Sequence, residues 1–154
     1  MALVSVYWHY EGPEDSPAWD THANNFADMK KSHLPRFDKG FSALIDDLDQ
    51  RGRLADTLVL VWGEFGRTPQ INKDGGRDHW PNVSCAMLAG GGLRTGQVIG
   101  STDKQGAFAN DRPVHMQEIF ATLYHSLGVN LETTLLEDRS GRPQHLLDTA
   151  YSPL

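Results

Sequence analysis

Apolar positions along this chain change their period several times, and the changes divide it into elements. Leu3–His9 is apolar and rich in β-formers and reads as a strand, whereas Tyr10–Asn24 is polar, carries Gly12, Pro13 and Pro17, and reads as a loop. From Asn25 the spacing becomes helical: Phe26, Met29, Phe37, Phe41, Leu44, Ile45 and Leu48 recur mostly at intervals of three and four, down to a stop near Arg51-Gly52. Pro35 lies inside that pattern and is expected to break or kink the helix, and Gly40 weakens it further. Thr57–Trp62 is a continuous apolar run with β-branched members, the signature of a strand covered on both faces. Val83–Ala89 reads as a further strand stopped by Gly90-Gly91-Gly92, and Gln97–Gly100 as a short fourth. Met116–Leu127 reads as a second helix ended by Gly128, and Ser140-Gly141-Arg142-Pro143 as a turn. Strands alternating with helices imply an α/β fold: a largely parallel sheet flanked by helices, in a single domain over 1–154.

Composition narrows the function classes. The chain has 154 residues, 39% of them hydrophobic and 22% charged, which is enough apolar material for one core. A net charge of −6 argues against general nucleic-acid binding, which needs a basic face against the phosphates. Cys85 is the single cysteine, so neither an intrachain disulfide nor a thiolate metal cluster can form. The longest apolar runs are about five residues, far short of the roughly 20 that span a bilayer. There is no basic stretch followed by a long apolar one after Met1, so no secretion signal is expected in this chain, and the compartment is not legible. An opening directly into a strand is the expectation for the C-terminal part of a longer protein.

Ligands of such sheets bind beyond the carboxyl ends of the strands, and three polar clusters lie near predicted strand ends. In Trp19-Asp20-Thr21-His22, a carboxylate and an imidazole two residues apart offer one oxygen and one nitrogen to a shared Zn²⁺ or Mn²⁺. The competing reading makes Asp20 a helix cap or a group that orients His22. In Gly63-Glu64-Phe65-Gly66-Arg67-Thr68, Glu64 follows the apolar strand by two residues, where it serves either a metal or a salt bridge to Arg67. In Gly76-Arg77-Asp78-His79-Trp80-Pro81, Asp78 and His79 are adjacent, and in an extended segment they point opposite ways. His79 is the chosen ligand and Asp78 an alternative ligand or a group behind it. Together Asp20, His22, Glu64 and His79 form the mixed oxygen and nitrogen set of a hydrolytic metal site. Arg67, Lys73 and Arg77 lie in the same loops and are candidates to bind an anionic oxygen. His33 and His125 read as helix residues and His115 as a helix start; Trp19 and Trp80 flank the ligand candidates, where such rings either stack on a sugar or, more commonly, wedge a loop in place.

The strings WDTHANNF, GEFGRTPQINKDGGRDHWPN and AGGGLRTGQVIGSTDKQGAFANDRPV resemble the C-terminal part of a bacterial, sulfatase-like family of unknown function in the alkaline phosphatase and sulfatase superfamily. That resemblance implies an alkaline-phosphatase-like α/β domain whose N-terminal half is absent from this chain. It also implies a site for divalent metal (Zn, Mn, Mg or Ca) at the carboxyl edge of the sheet. By the same resemblance Asp20, His22, Glu64 and His79 are metal ligands, and the substrate is a small anionic ester or a sulfated or phosphorylated glycan. Glu64-Phe65 departs from the Asp-His pair usual after the central strand, which removes one nitrogen ligand. The implied function is a metal-dependent hydrolase of sulfate or phosphate esters, incomplete as this chain; the alternative is a binding or structural module with a vestigial metal site.

Overall fold

The computed structural model describes residues 3–7, 19–148 and 150–154. A helical stretch comes first. It begins as α1 (Asn25–Asp28), widens into a π-helical turn at Met29–His33 and continues as α2 (Leu34–Gln50). Pro35 does not break it. The proline sits in the first turn of α2, directly after the π-helical segment. A widened turn is one way for a helix to absorb the donor that proline lacks, and it does so here without a chain reversal. A single 3-10 turn, Leu54–Asp56, then leads into β1 (Leu58–Trp62).

The remaining strands are β2 (Gly66–Arg67), β3 (His79–Trp80), β4 (Ala86–Gly90), β5 (Leu135–Glu137) and β6 (Pro143–His145), with α3 (Met116–Ser126) between β4 and β5. They form three separate two-stranded antiparallel sheets: β1 with β4, β2 with β3, and β5 with β6. The expected largely parallel, alkaline-phosphatase-like sheet is therefore corrected. A parallel return needs a crossover, usually a helix. Between β1 and β4 the chain holds a β-hairpin instead, so β4 comes back antiparallel with Leu60 opposite Leu88. The continuous apolar run of β1 carried no information about strand direction, and the expected cover on both faces is also corrected: Leu58–Val61 are half-buried and Trp62 is exposed.

Other boundaries also shift. Leu3–Tyr7, expected to be a strand, has no regular structure and is exposed; Trp8 and His9 lie outside the described residues, as do residues 10–18 of the expected loop. The strand read at Val83–Ala89 occupies Ala86–Gly90. Gln97–Gly100 forms no strand, and Val98 is 94% exposed. The helix at Met116 ends at Ser126 with Gly128 at φ 74°, the left-handed stop its position implied. His115 caps it, accepting from the Gln117 N–H, while Glu118 accepts from the His115 N–H to close a capping box. The Ser140–Pro143 turn joins β5 to β6.

Apolar burial is thin. Among the described residues Ala121 is the one buried hydrophobic side chain, and the other buried residues are Thr21, Asn25, His33, Gly76 and Thr122. Half-buried and exposed aromatics do much of the packing. Trp62 of β1 meets Phe120 of α3 edge-on with ring centres 5.2 Å apart. Trp19 packs on His33 and Phe37, and Phe37 stacks on Phe41 at 5.3 Å. Trp80 donates its indole N–H to the Ala107 carbonyl at 2.7 Å and meets Phe108, wedging the 101–110 loop as its sequence position led one to expect. Among the described residues no helix is long and apolar enough to cross a membrane.

Candidate metal centre

Two chain segments far apart in sequence meet to build the site. The first is residues 19–25, leading into α1. The second is the stretch 66–80, a β-hairpin whose tip is the turn 72–76. The turn docks on the first segment through backbone bonds from Asn24 to Asp74, Asn25 to Gly75 and Arg77 to Thr21, of 3.1–3.2 Å. Below the contact, Thr21 is buried and donates its hydroxyl to the side-chain oxygen of Asn25, anchoring the loop to the helix start.

Pairing of β2 with β3 sets Arg67 opposite His79. Directly opposed residues project to the same face of a two-stranded sheet. Both side chains accordingly reach Asp20: Arg67 Nη2 lies 2.5 Å and His79 Nε2 2.8 Å from Asp20 Oδ1. His22 closes the group, its Nε2 standing 3.1 Å from Asp20 Oδ1 and 3.1 Å from His79 Nε2. Three potential metal donors thus form a triangle with edges of 2.8–3.1 Å. Donors about 2.1 Å from an octahedral ion are roughly 3.0 Å apart, and tetrahedral donors roughly 3.4 Å. The triangle fits one face of an octahedron. All three residues are exposed, so the opposite face opens to solvent.

The other side of the His22 ring determines its chemistry. Nδ1 lies 2.7 Å from Asp78 Oδ1, and a carboxylate accepts, so Nδ1 carries a proton there. Asp78 orients the ring and directs Nε2 at the triangle, as carboxylates do behind metal-bound histidines. Asp20 Oδ1 and His22 Nε2 then face each other as acceptors, with His79 Nε2 within 3.1 Å of both, an arrangement suited to a shared metal ion. The same contacts hold Asp20 acidic: hydrogen bonds from His79 and then Arg67 push its pKa down to about 2. Asp78 is also held below the ordinary carboxylate range, first by His22 and then by Asn72. Both are anions at neutral pH, as metal ligation and ligand orientation require.

Of the other expected residues, Glu64 is exposed, lies outside the triad, and makes no hydrogen bond or ion pair among the described residues. Its expected partner Arg67 is used elsewhere, on Asp20 and on the carbonyls of Trp19 and Arg77. Arg77 donates to the Thr68 and Arg67 carbonyls. Both arginines thus tie backbone segments together through donors to protein oxygens. Lys73 lines a shallow depression with Thr68, Gln70, Ile71, Asn72 and Asp78, one residue away from the triad. Phe65 does not ligate; its ring packs on His79 at 4.2 Å and limits how that imidazole turns. The residue that sequence reading passed over is Asn72, whose place in an Asn-Lys-Asp-Gly-Gly turn was the available signal.

A family model described as "protein of unknown function (DUF1501)" matches residues 1–153, so the chain belongs to that family. No curated protein and no solved structure matches it. The assignment to a sulfatase-like family of the alkaline phosphatase superfamily is corrected by this result: the matching family carries no function, and no sulfatase or alkaline phosphatase family supports it.

Proposed function

We propose that this member of a family of unknown function binds one divalent transition-metal ion through Asp20, His22 and His79 and uses it to activate water against anionic esters. The observation that carries the reading is the carboxylate behind His22. A surface cluster of acids and histidines is common without a metal, but here Asp78 fixes one ring nitrogen as a donor and leaves the other aimed at two further donor atoms. Two imidazoles and one carboxylate favour Zn²⁺ or Mn²⁺ over Mg²⁺ and Ca²⁺, which prefer oxygen shells. The open face supplies positions for water and for a substrate oxygen, the arrangement by which a bound metal lowers the pKa of water and polarises an ester. Asp20 and Asp78 neutralise a divalent ion, and Arg67 adds a further positive charge, so an anionic ligand is favoured over a neutral one. Lys73, at the edge of the adjoining depression, is the cation left to meet the substrate.

Titration of metal-free protein with Zn²⁺ and Mn²⁺ tests the reading, followed by assays on aryl phosphate and aryl sulfate. One equivalent binds, and His22→Ala and His79→Ala each abolish binding while leaving the fold intact. Wild-type protein that takes up neither ion would sink the proposal. A bound ion without turnover on either ester class would leave a metal-binding module and remove the hydrolase.

A further inference from the structure

We propose that Asn72 is the positioning residue of this site, a single amide that holds His22 and Asp78 in the geometry a metal requires; the inference rests on the metal reading above. Both ends of the side chain are engaged. Its Oδ1 accepts from the Asp74 N–H at 3.0 Å and the Gly76 N–H at 2.9 Å, which closes the turn. Its Nδ2 donates to the His22 carbonyl at 2.9 Å and approaches both Asp78 oxygens at 3.3 and 3.4 Å. The amide therefore lies between the backbone of one ligand and the carboxylate that orients that ligand's ring. Removing it frees Asp78 to rotate away from His22 Nδ1 and loosens His22 from the hairpin that carries His79. Asn72 touches none of the three donor atoms, so its effect on metal passes through His22.

The acceptor and donor roles separate experimentally. Asn72→Asp keeps the acceptor that builds the turn but replaces the N–H₂ by an oxygen facing the His22 carbonyl and the Asp78 carboxylate. A residue that only formed the turn would then leave metal binding unchanged or tighten it, because the substitution adds negative charge near a cation. A positioning role predicts the opposite sign: Zn²⁺ affinity falls by about 10- to 100-fold, the usual cost of losing a group behind a ligand. Asn72→Ser, whose hydroxyl supports the turn more weakly and cannot reach His22, weakens binding to a similar degree without a charge change. Affinities are read by competition with a chromophoric chelator, on protein whose fold is checked by circular dichroism and a thermal melt. Wild-type binding with equal or tighter affinity in folded Asn72→Asp would overturn this inference and leave the metal site standing. Wild type that binds no Zn²⁺ would overturn both.

Discussion

Gly76→Ala probes the docking on which the site depends. A Cβ at Gly76 would lie 1.8 Å from the His22 carbonyl oxygen, 2.0 Å from its carbon and 2.5 Å from the Ala23 nitrogen. Non-bonded heavy atoms of this kind settle at about 3.5 Å, and here they are backbone atoms that cannot rotate aside. The turn must therefore retreat from residues 21–25 by more than an ångström. That breaks the three backbone bonds joining Asn24 to Asp74, Asn25 to Gly75 and Arg77 to Thr21. At roughly 1 kcal/mol each, their loss costs about 2–4 kcal/mol, a large part of the stability of an ordinary domain. With a urea slope of about 2 kcal/mol/M, the unfolding midpoint falls by about 1–2 M. Zn²⁺ binding weakens by at least about 10-fold in any folded fraction, because His22 moves with the carbonyl that is displaced. An unchanged midpoint in Gly76→Ala would refute the reasoning, since it would mean that the turn is not seated on the loop of Asp20 and His22.

Gly40→Ala is expected to act in the opposite sense: the glycine lies inside α2, a Cβ there meets nothing within 4 Å, and the helix gains about 0.5–1 kcal/mol, seen as a higher thermal midpoint. Glu118→Gln in the capping box of α3 lowers stability at pH 7 by on the order of 0.5 kcal/mol through the lost charge at the helix N-terminus. Arg112, then the His115 N–H, hold the pKa of Glu118 below its ordinary 4.5, so the carboxylate stabilises the fold above that value and the contribution is lost as pH falls through the lowered pKa. Thermal melts of wild type and Glu118→Gln should accordingly differ at pH 7 and converge in acid; a constant difference at all pH values would argue against a charge effect. Asp78→Asn is expected to weaken Zn²⁺ by about 10- to 100-fold with little change in the melt, because the amide no longer fixes a proton on His22 Nδ1; equal affinity would show that Asp78 does not orient the ring.

Local signals in the sequence served the helices better than the sheet. The three-and-four spacing from Phe26 to Leu48 depends on contacts within one helix, and the helix forms there even across Pro35. Strand direction depends on what the intervening chain does. The apolar run at Leu58–Trp62 looks the same whether its neighbour is parallel or antiparallel, so it does not distinguish the expected parallel sheet from the antiparallel pair that forms. The alternation rule for Asp78 and His79 was informative because it is also local: adjacent residues of an extended chain face opposite ways. In the structure they do approach His22 from opposite sides, Asp78 at Nδ1 and His79 at Nε2. Asp20 and His79 are 59 positions apart, and no local rule could state that they touch. That contact follows from the register of Arg67 against His79 and from the seating of the 72–76 turn on residues 21–25. Glu64 shows the converse, since position after a strand made it a candidate and nothing in the pairing draws it toward the others. Under the proposed metal reading, residues that seat the hairpin on its dock, such as Gly76, set the geometry of the donors although they contribute no donor atom.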